Sequence, residues 1–160
     1  MENLKNTNKL FQNADYQKHL KSIKGYEEKR KFCRHNLSHF LAVARIATTK
    51  SLEAGLSIPR DLIYTTALLH DIGRFVQYED KTPHEIASYT LAISLLEQLD
   101  FNSDEKEQIL EAILNHRNPE SQKFSHIFYE SDKLSRECLS CPMEKHCDWG
   151  SKKKNLFIRY

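Results

Sequence analysis

The chain has 160 residues, enough for one domain with a core of its own. Its 24 lysines and arginines against 22 aspartates and glutamates leave a formal charge of +2, which argues against a protein held to nucleic acid by bulk charge. Mean hydropathy is −0.65, and no apolar run approaches the roughly 18–20 residues of a membrane helix. The polar start MENLKNTNKLFQNADYQKH does not read as a secretory signal, so a cytoplasmic location is expected.

Only four glycines and four prolines punctuate the chain, and the segments between them read with helical period. Residues near 15–31 are charged and amphipathic, which makes 1–31 an N-terminal helical segment. Leu37, Phe40, Leu41, Ala44 and Ala47 recur at spacings of three and four and predict a helix from about 34 to 53. Ser57-Ile58-Pro59 reads as a helix start, and DLIYTTALLHD runs from it to a stop at Gly73. Thr82 is the expected N-cap of the next helix, with Pro83 its first residue and Ile86, Ala87, Leu91, Leu95 and Leu99 its apolar positions. Ser103, followed by Asp104 and Glu105, opens another, whose Ile109, Ile113 and Leu114 lead to His116 before Asn118-Pro119 ends it. A last helix is expected around 122–137. With no alternating strand, no repeat and no low-complexity tract, the expected fold is all-α. It is a single-domain helical bundle over 32–137 with a short cysteine-rich tail, 138–160, packed on the same domain.

The stretch ALLHDIGRF, residues 67–75, raises the chemical question. An apolar run delivers His70 and Asp71 side by side, and a buried carboxylate requires a cation or a metal ion. His39 lies on a helix whose following turn, Val43 and Ile46, is apolar, so its ring is expected on the inner face. Asp132, in YESDKLSR, is expected to face inward because Phe128 and Leu134 turn its helix to the core. Two imidazoles and two carboxylates from separate helices form a mixed N/O ligand set suited to a divalent metal, with room for water.

His39, the His70-Asp71 doublet and Asp132 together resemble the H…HD…D signature of the HD superfamily of metal-dependent phosphohydrolases. HFLAVARIA, ALLHDIGR and SDKLSR follow one another as that family's helices do. The resemblance implies an HD-type helical domain in which His39, His70, Asp71 and Asp132 hold one divalent ion (Mn, Fe, Co, Ni or Mg) and Asp71 is able to bridge to a second. PHEIASYTLA and AILNHR resemble the segments that complete a second site in the two-metal branch, which implies His84 and His116 as further ligands; the number of ions, one or two, stays open. The pattern is similar to the small bacterial HD hydrolases of dinucleoside polyphosphates and nucleotides, although the cysteine-rich tail is not part of that branch's pattern.

The function that follows is hydrolysis of a phosphate ester or anhydride of a small nucleotide by metal-activated water, with His70 and Asp71 at the reacting centre. Arg74 is expected to grip a phosphate, with Arg117 and Lys81 as further contacts, although an ion pair of Arg74 with Glu79 or Asp80 is an equal reading. The alternative is a non-catalytic HD-domain nucleotide sensor. A nucleic-acid module built on the tail is disfavoured by the near-neutral charge, and a homodimer is left open. His35, one turn before His39 and on the same face, reads as a substrate-side residue, a partner behind the ligands or, first among the three, a solvent-facing histidine, and His19 and His126 read as surface residues.

The tail CLSCPMEKHCDW carries a CxxC at Cys138 and Cys141, with Cys147 five residues on. With Cys33 or His146 as a fourth ligand it reads as a structural zinc site. Four thiolates would equally suit an iron–sulfur cluster, and reduced thiols lining a small core with Trp149 are the plain alternative.

Overall fold

The computed structural model of the protein describes residues 4–160, and within them the chain is helical, with no strand. Eight α-helices follow in order: α1 (Lys5–Phe11), α2 (Ala14–Glu27), α3 (Leu37–Glu53), α4 (Arg60–Leu69), α5 (Arg74–Asp80), α6 (His84–Leu96), α7 (Ser103–Asn115) and α8 (Lys123–Leu134). Three short 3₁₀ turns complete the tail at Cys138–Ser140, Glu144–His146 and Ser151–Lys153.

The bundle is arranged around α4, in which seven of ten residues are buried, from Leu62 to Leu69. A helix apolar on every side has to be enclosed. Accordingly α3, α7 and α1 pack on α4, while α8 bridges α3 and α7 and α6 leans on α7. Phe40, Leu62, Leu68, Leu69, Ile109 and Phe128 form the centre of the shared core. The hydroxyl of the buried Tyr16, on α2, donates to the Leu68 carbonyl at 3.0 Å, so its one polar atom is satisfied.

The helix starts follow local capping chemistry. Asn13 caps α2 by accepting from the Asp15 and Tyr16 N–H groups, and Asn36 caps α3 by accepting from His39 N–H. Asn102 and Glu105 form a capping box at α7. The expected helix at 34–53 thus begins three residues late, because Asn36 fixes the boundary. Pro83 stands in extended conformation ahead of α6, at the cap position expected for Thr82, and Thr82 N–H instead donates to Asp80 Oδ1. Helix α6 ends at Leu96 and α8 at Leu134, short of residues 99 and 137. Ile86 and Leu114, read as core positions, are 48% and 43% exposed.

Helix α1 falls within the expected 1–31 helical segment without a boundary of its own there, and α5 has no counterpart in the sequence reading. Helix α1 has no cap of its own, since Leu4 offers none. Asp61, in the first turn of α4, supplies it from another helix: its carboxylate accepts from the N–H groups of Asn6 and Thr7 at 2.9 and 2.8 Å. Helix α5 is a seven-residue element that starts at Arg74, directly after the His70–Gly73 turn.

That turn depends on Gly73. A Cβ there would lie 2.4 Å from Ser88 N and 2.6 Å from the Ala87 carbonyl carbon, so only glycine allows the turn to touch the α6 backbone. The Gly73 N–H donates to the buried Ser88 Oγ at 2.9 Å and fixes the approach.

Candidate metal centre

Helix ends carry the six expected ligands to one point. His39 is in the first turn of α3 and His70 follows the last residue of α4, with Asp71 in the turn beyond. His84 opens α6, His116 closes α7, and Asp132 lies in the last turn of α8. Asp71 is the hub. Its Oδ2 is 3.3 Å from His70 Nε2 and 3.6 Å from His39 Nε2, and Asp132 Oδ1 lies 3.6 and 3.8 Å from His39 and His70. Asp71 Oδ1 faces the other way, 3.2 Å from His84 Nε2 and 3.7 Å from His116 Nε2. Two donor sets result, His39–His70–Asp71–Asp132 and Asp71–His84–His116, each with its ligating atoms within 4.8 Å of one another.

The far side of three rings explains why the near side is free. His70 Nδ1 donates to the Ala67 carbonyl at 2.7 Å and His116 Nδ1 to the Ile113 carbonyl at 2.6 Å. His39 Nδ1 donates to Ser135 Oγ at 3.1 Å, since that hydroxyl spends its own proton on the Asp132 carbonyl. A proton fixed on Nδ1 leaves the Nε2 lone pair aimed inward, as metal-ligating histidines require. His84 differs: its Nδ1 lies 3.0 Å from Arg74 Nη1, which can only donate, and 2.9 Å from Gln77 Oε1, which can only accept, so the far side does not fix this ring's tautomer, and its Nε2 lies 3.1 Å from His116 Nε2.

Several buried atoms at the centre have no hydrogen-bond partner: His39 Nε2, His70 Nε2 and Asp71 Oδ1. Such orphans are costly in a protein interior. A divalent cation would satisfy them, so the donor set fits one.

Charge distribution agrees for three of the four rings. Burial holds His39, His84 and His116 below the ordinary imidazole value, His84 at about 2 and His116 at about 4, so all three are neutral ligands at neutral pH. His70 goes the other way: burial opposes a charge, but Asp71 and Asp132 outweigh it and raise the ring to about 10, so at neutral pH its Nε2 holds a second proton that a cation bound at the two carboxylates would displace. Both carboxyls are held well below their usual range against burial, Asp71 chiefly by His70, and Asp132 by His70 and its neighbour Lys133.

Around this centre lie residues that the sequence reading did not place. His35 is not solvent-facing. Its ring is 10% exposed, with Nδ1 donating to Glu27 Oε1 at 2.5 Å and Nε2 accepting from Arg74 Nη2 at 2.6 Å, 3.7 Å from Asp71 Oδ2. Glu27 is buried at the end of α2 and also accepts from the Tyr78 hydroxyl at 2.6 Å. Arg74 forms no ion pair with Glu79 or Asp80; its guanidinium is engaged by His35, Gln77 and His84. Arg117 lines the cavity but is paired with Glu85 at 3.2 Å. Lys81 is exposed in the left-handed turn that ends α5 and is absent from the cavity wall, so it does not join the other candidates. His19, read as a surface residue, is half-buried and stacks on Phe75, while His126 lies half-buried beside Glu130.

The Glu27 carboxyl carries a pH signature. Burial would raise it, but the ring and backbone N–H of His35 and the Tyr78 hydroxyl outweigh that and hold it at about 2, against an ordinary 4.5. The unfolded chain therefore takes up this proton first. The stabilisation is complete above pH 5 and drains away as pH falls toward 2, by up to about 3 kcal/mol. Thermal melts at pH 6 and pH 3 are expected to converge between wild type and Glu27→Gln at the acid end and separate at the neutral end; parallel curves would refute it.

The centre forms the floor of an open cavity of about 1680 Å³. Twelve of the chain's 24 lysines and arginines line it, against six acidic residues. The small overall charge thus conceals a local concentration of positive charge.

The HD domain family model matches residues 36–141, and the chain belongs to the HD domain family. A protein of Clostridium beijerinckii that is described only as uncharacterized is 46% identical over 153 residues, spanning 96% of this chain and 98% of that one. The crystal structure of a predicted HD superfamily hydrolase from an uncultured Thermotogales bacterium has a similar fold. Its TM-score is 0.64 at 19% identity, over 88% of this chain and 79% of that chain.

Proposed function

We propose that this protein is a metal-dependent phosphohydrolase acting on a phosphate ester or anhydride of a small nucleotide. One observation carries the reading: Asp71 turns one oxygen to each of two His/Asp donor sets at the floor of a basic cavity. Divalent ions held there would supply an ionised water near neutral pH and neutralise charge on phosphoryl oxygens. His39, His70, Asp71 and Asp132 are the proposed ligands of one ion, and Asp71, His84 and His116 of a second.

The surrounding residues supply positioning. Arg74 is held beside Asp71 by His35 and Gln77, with Nε 3.9 Å from Asp71 Oδ1, so it orients the shared carboxylate. Reaching a substrate phosphate would require it to exchange those partners. Arg45 and Arg136 line the cavity and suit phosphate oxygens, while Lys154, on the same wall, is paired with Glu144 at 2.9 Å. Tyr160, 50% exposed on the same wall, suits a base, whereas the Trp149 ring is already covered by Arg136.

The test is release of phosphate or nucleoside monophosphate from a panel of mono- and dinucleotides with added Mn²⁺ or Co²⁺. Turnover that stops on adding EDTA and returns with metal is expected. Nucleotide binding by equilibrium dialysis without turnover under any metal would replace the enzyme with a sensor.

A further inference from the structure

The four cysteines have no part in that chemistry, yet the fold brings them together. Cys33 lies on the loop between α2 and α3, and Cys138, Cys141 and Cys147 lie on the tail, more than a hundred residues away in sequence; all four are free thiols on the wall of one cavity. Burial chiefly raises the Cys33 thiol, and Cys138 and Cys141 are near enough to add to it. We propose that Cys33, Cys138, Cys141 and Cys147 form a tetrathiolate metal site, separate from the His/Asp centre, that clamps the tail to the α2–α3 loop.

Three features support this. First, the tail has almost no core: from 136 to 160 only Cys138 is buried, and the segment is held mainly by polar contacts. The Asn155 side chain donates to the carbonyls of Lys133, Leu134 and Arg136, while Arg136 covers the Trp149 ring at 4.0 Å. A segment without a core of its own is commonly held by a cross-link. The Trp149 contact, with that ring 37% exposed, also replaces the expected small core of thiols around it. Second, the backbone presents the sulphurs. A 3₁₀ turn closes between Cys138 and Cys141, a second ends at Cys147, and Arg30 pins the Cys33 carbonyl at 2.6 Å. Third, Arg136 is close enough to Cys33 to favour its thiolate, against the burial that raises the thiol. The same placement decides the fourth ligand, because His146 is exposed and absent from the cavity wall whereas Cys33 is on it.

Among the described residues no three of these sulphurs lie within 4.8 Å of one another. A single zinc ion with bonds of about 2.3 Å would draw them closer, and the short tail turns are the parts that would move. Binding would deprotonate the thiols and release protons.

The decisive experiment uses the full chain in the Asp71→Asn background, so that the His/Asp centre does not mask the result. After chelation under reducing conditions, Co²⁺ is added while thiolate-to-cobalt charge-transfer absorption and thiol reagent uptake are followed. About one equivalent of Co²⁺ is expected to produce the band and protect four thiols, with Zn²⁺ displacing it. Cys33→Ser, at an exposed position with little packing to lose, is expected to weaken binding at least ~100-fold and to lower the melting temperature of the metal-loaded protein only. Iron and acid-labile sulphide in anaerobically purified protein, lost together in Cys33→Ser and in Cys138→Ser, would keep the ligand set and identify an iron–sulfur cluster. Binding unchanged by Cys33→Ser, or a disulfide among the four in the reduced protein, overturns the proposal.

Discussion

Asp71→Asn is expected to lower metal-dependent phosphate release at least ~10³-fold and to remove metal from both donor sets at once. The variant keeps the side chain's shape, so it tests charge. Asp71 Oδ2 serves the His39, His70 and Asp132 group and Oδ1 serves His84 and His116, and Asp71 is the member that the two sets share. An amide offers one neutral oxygen and one NH₂, and the NH₂ would point at one of the two sets. The metal-free protein should also suffer, because Asp71 neutralises His70 and lies beside Arg74, both largely buried. Breaking a buried pair by removing one partner costs about 3–5 kcal/mol. Elemental analysis, initial rates and thermal melts check all three effects. His84→Ala supplies the contrast: it should empty only the second set. Equal metal content in wild type and Asp71→Asn would end the two-set reading.

The second large effect concerns backbone. Gly73→Ala adds one methyl where Ser88 N, the Ala87 carbonyl carbon and Ala87 Cβ already lie within 2.7 Å. None of these is the flexible end of a side chain, so the α4–α5 turn must separate from α6. The expected loss is about 3 kcal/mol, which for a chain of this size corresponds to a melting temperature lower by roughly 6–12 °C. The shift should also separate Asp71 from His84, which stand on opposite sides of this contact, so metal in the second set should fall more than in the first. A melting temperature within a degree of wild type would show that the turn can relax around the methyl.

The architecture was legible where rare residue types coincide with helix boundaries. Histidine and aspartate at the ends of apolar helices stand out because burying them requires a partner, and all six proposed ligands were found this way or through the family resemblance they carry. What stayed hidden depends on contacts between distant segments. Helix α1 has no local start signal because Asp61 of α4 caps it. His35 falls inside the expected helix, on the face of His39, but α3 begins only at Leu37, so a loop rather than helical period sets its ring, and Glu27 looks like one more acid on a charged amphipathic helix until Tyr78 and His35 close over it. Lys81 was drawn toward the centre by sequence proximity alone, and its left-handed backbone places it outside the cavity.

Five of the six proposed ligands ride on a terminal turn or the residue after it, and Asp71 stands one residue further on, while the middles of the same helices carry Val43, Ala47, Ile63, Ile109 and Phe128. Terminal turns open at little free-energy cost, whereas close-packed interiors resist deformation. Rigidity and compliance are therefore divided along the length of each rod. Ligand distances can adjust by fractions of an ångström as ions of different radius come and go, with the scaffold behind them undisturbed.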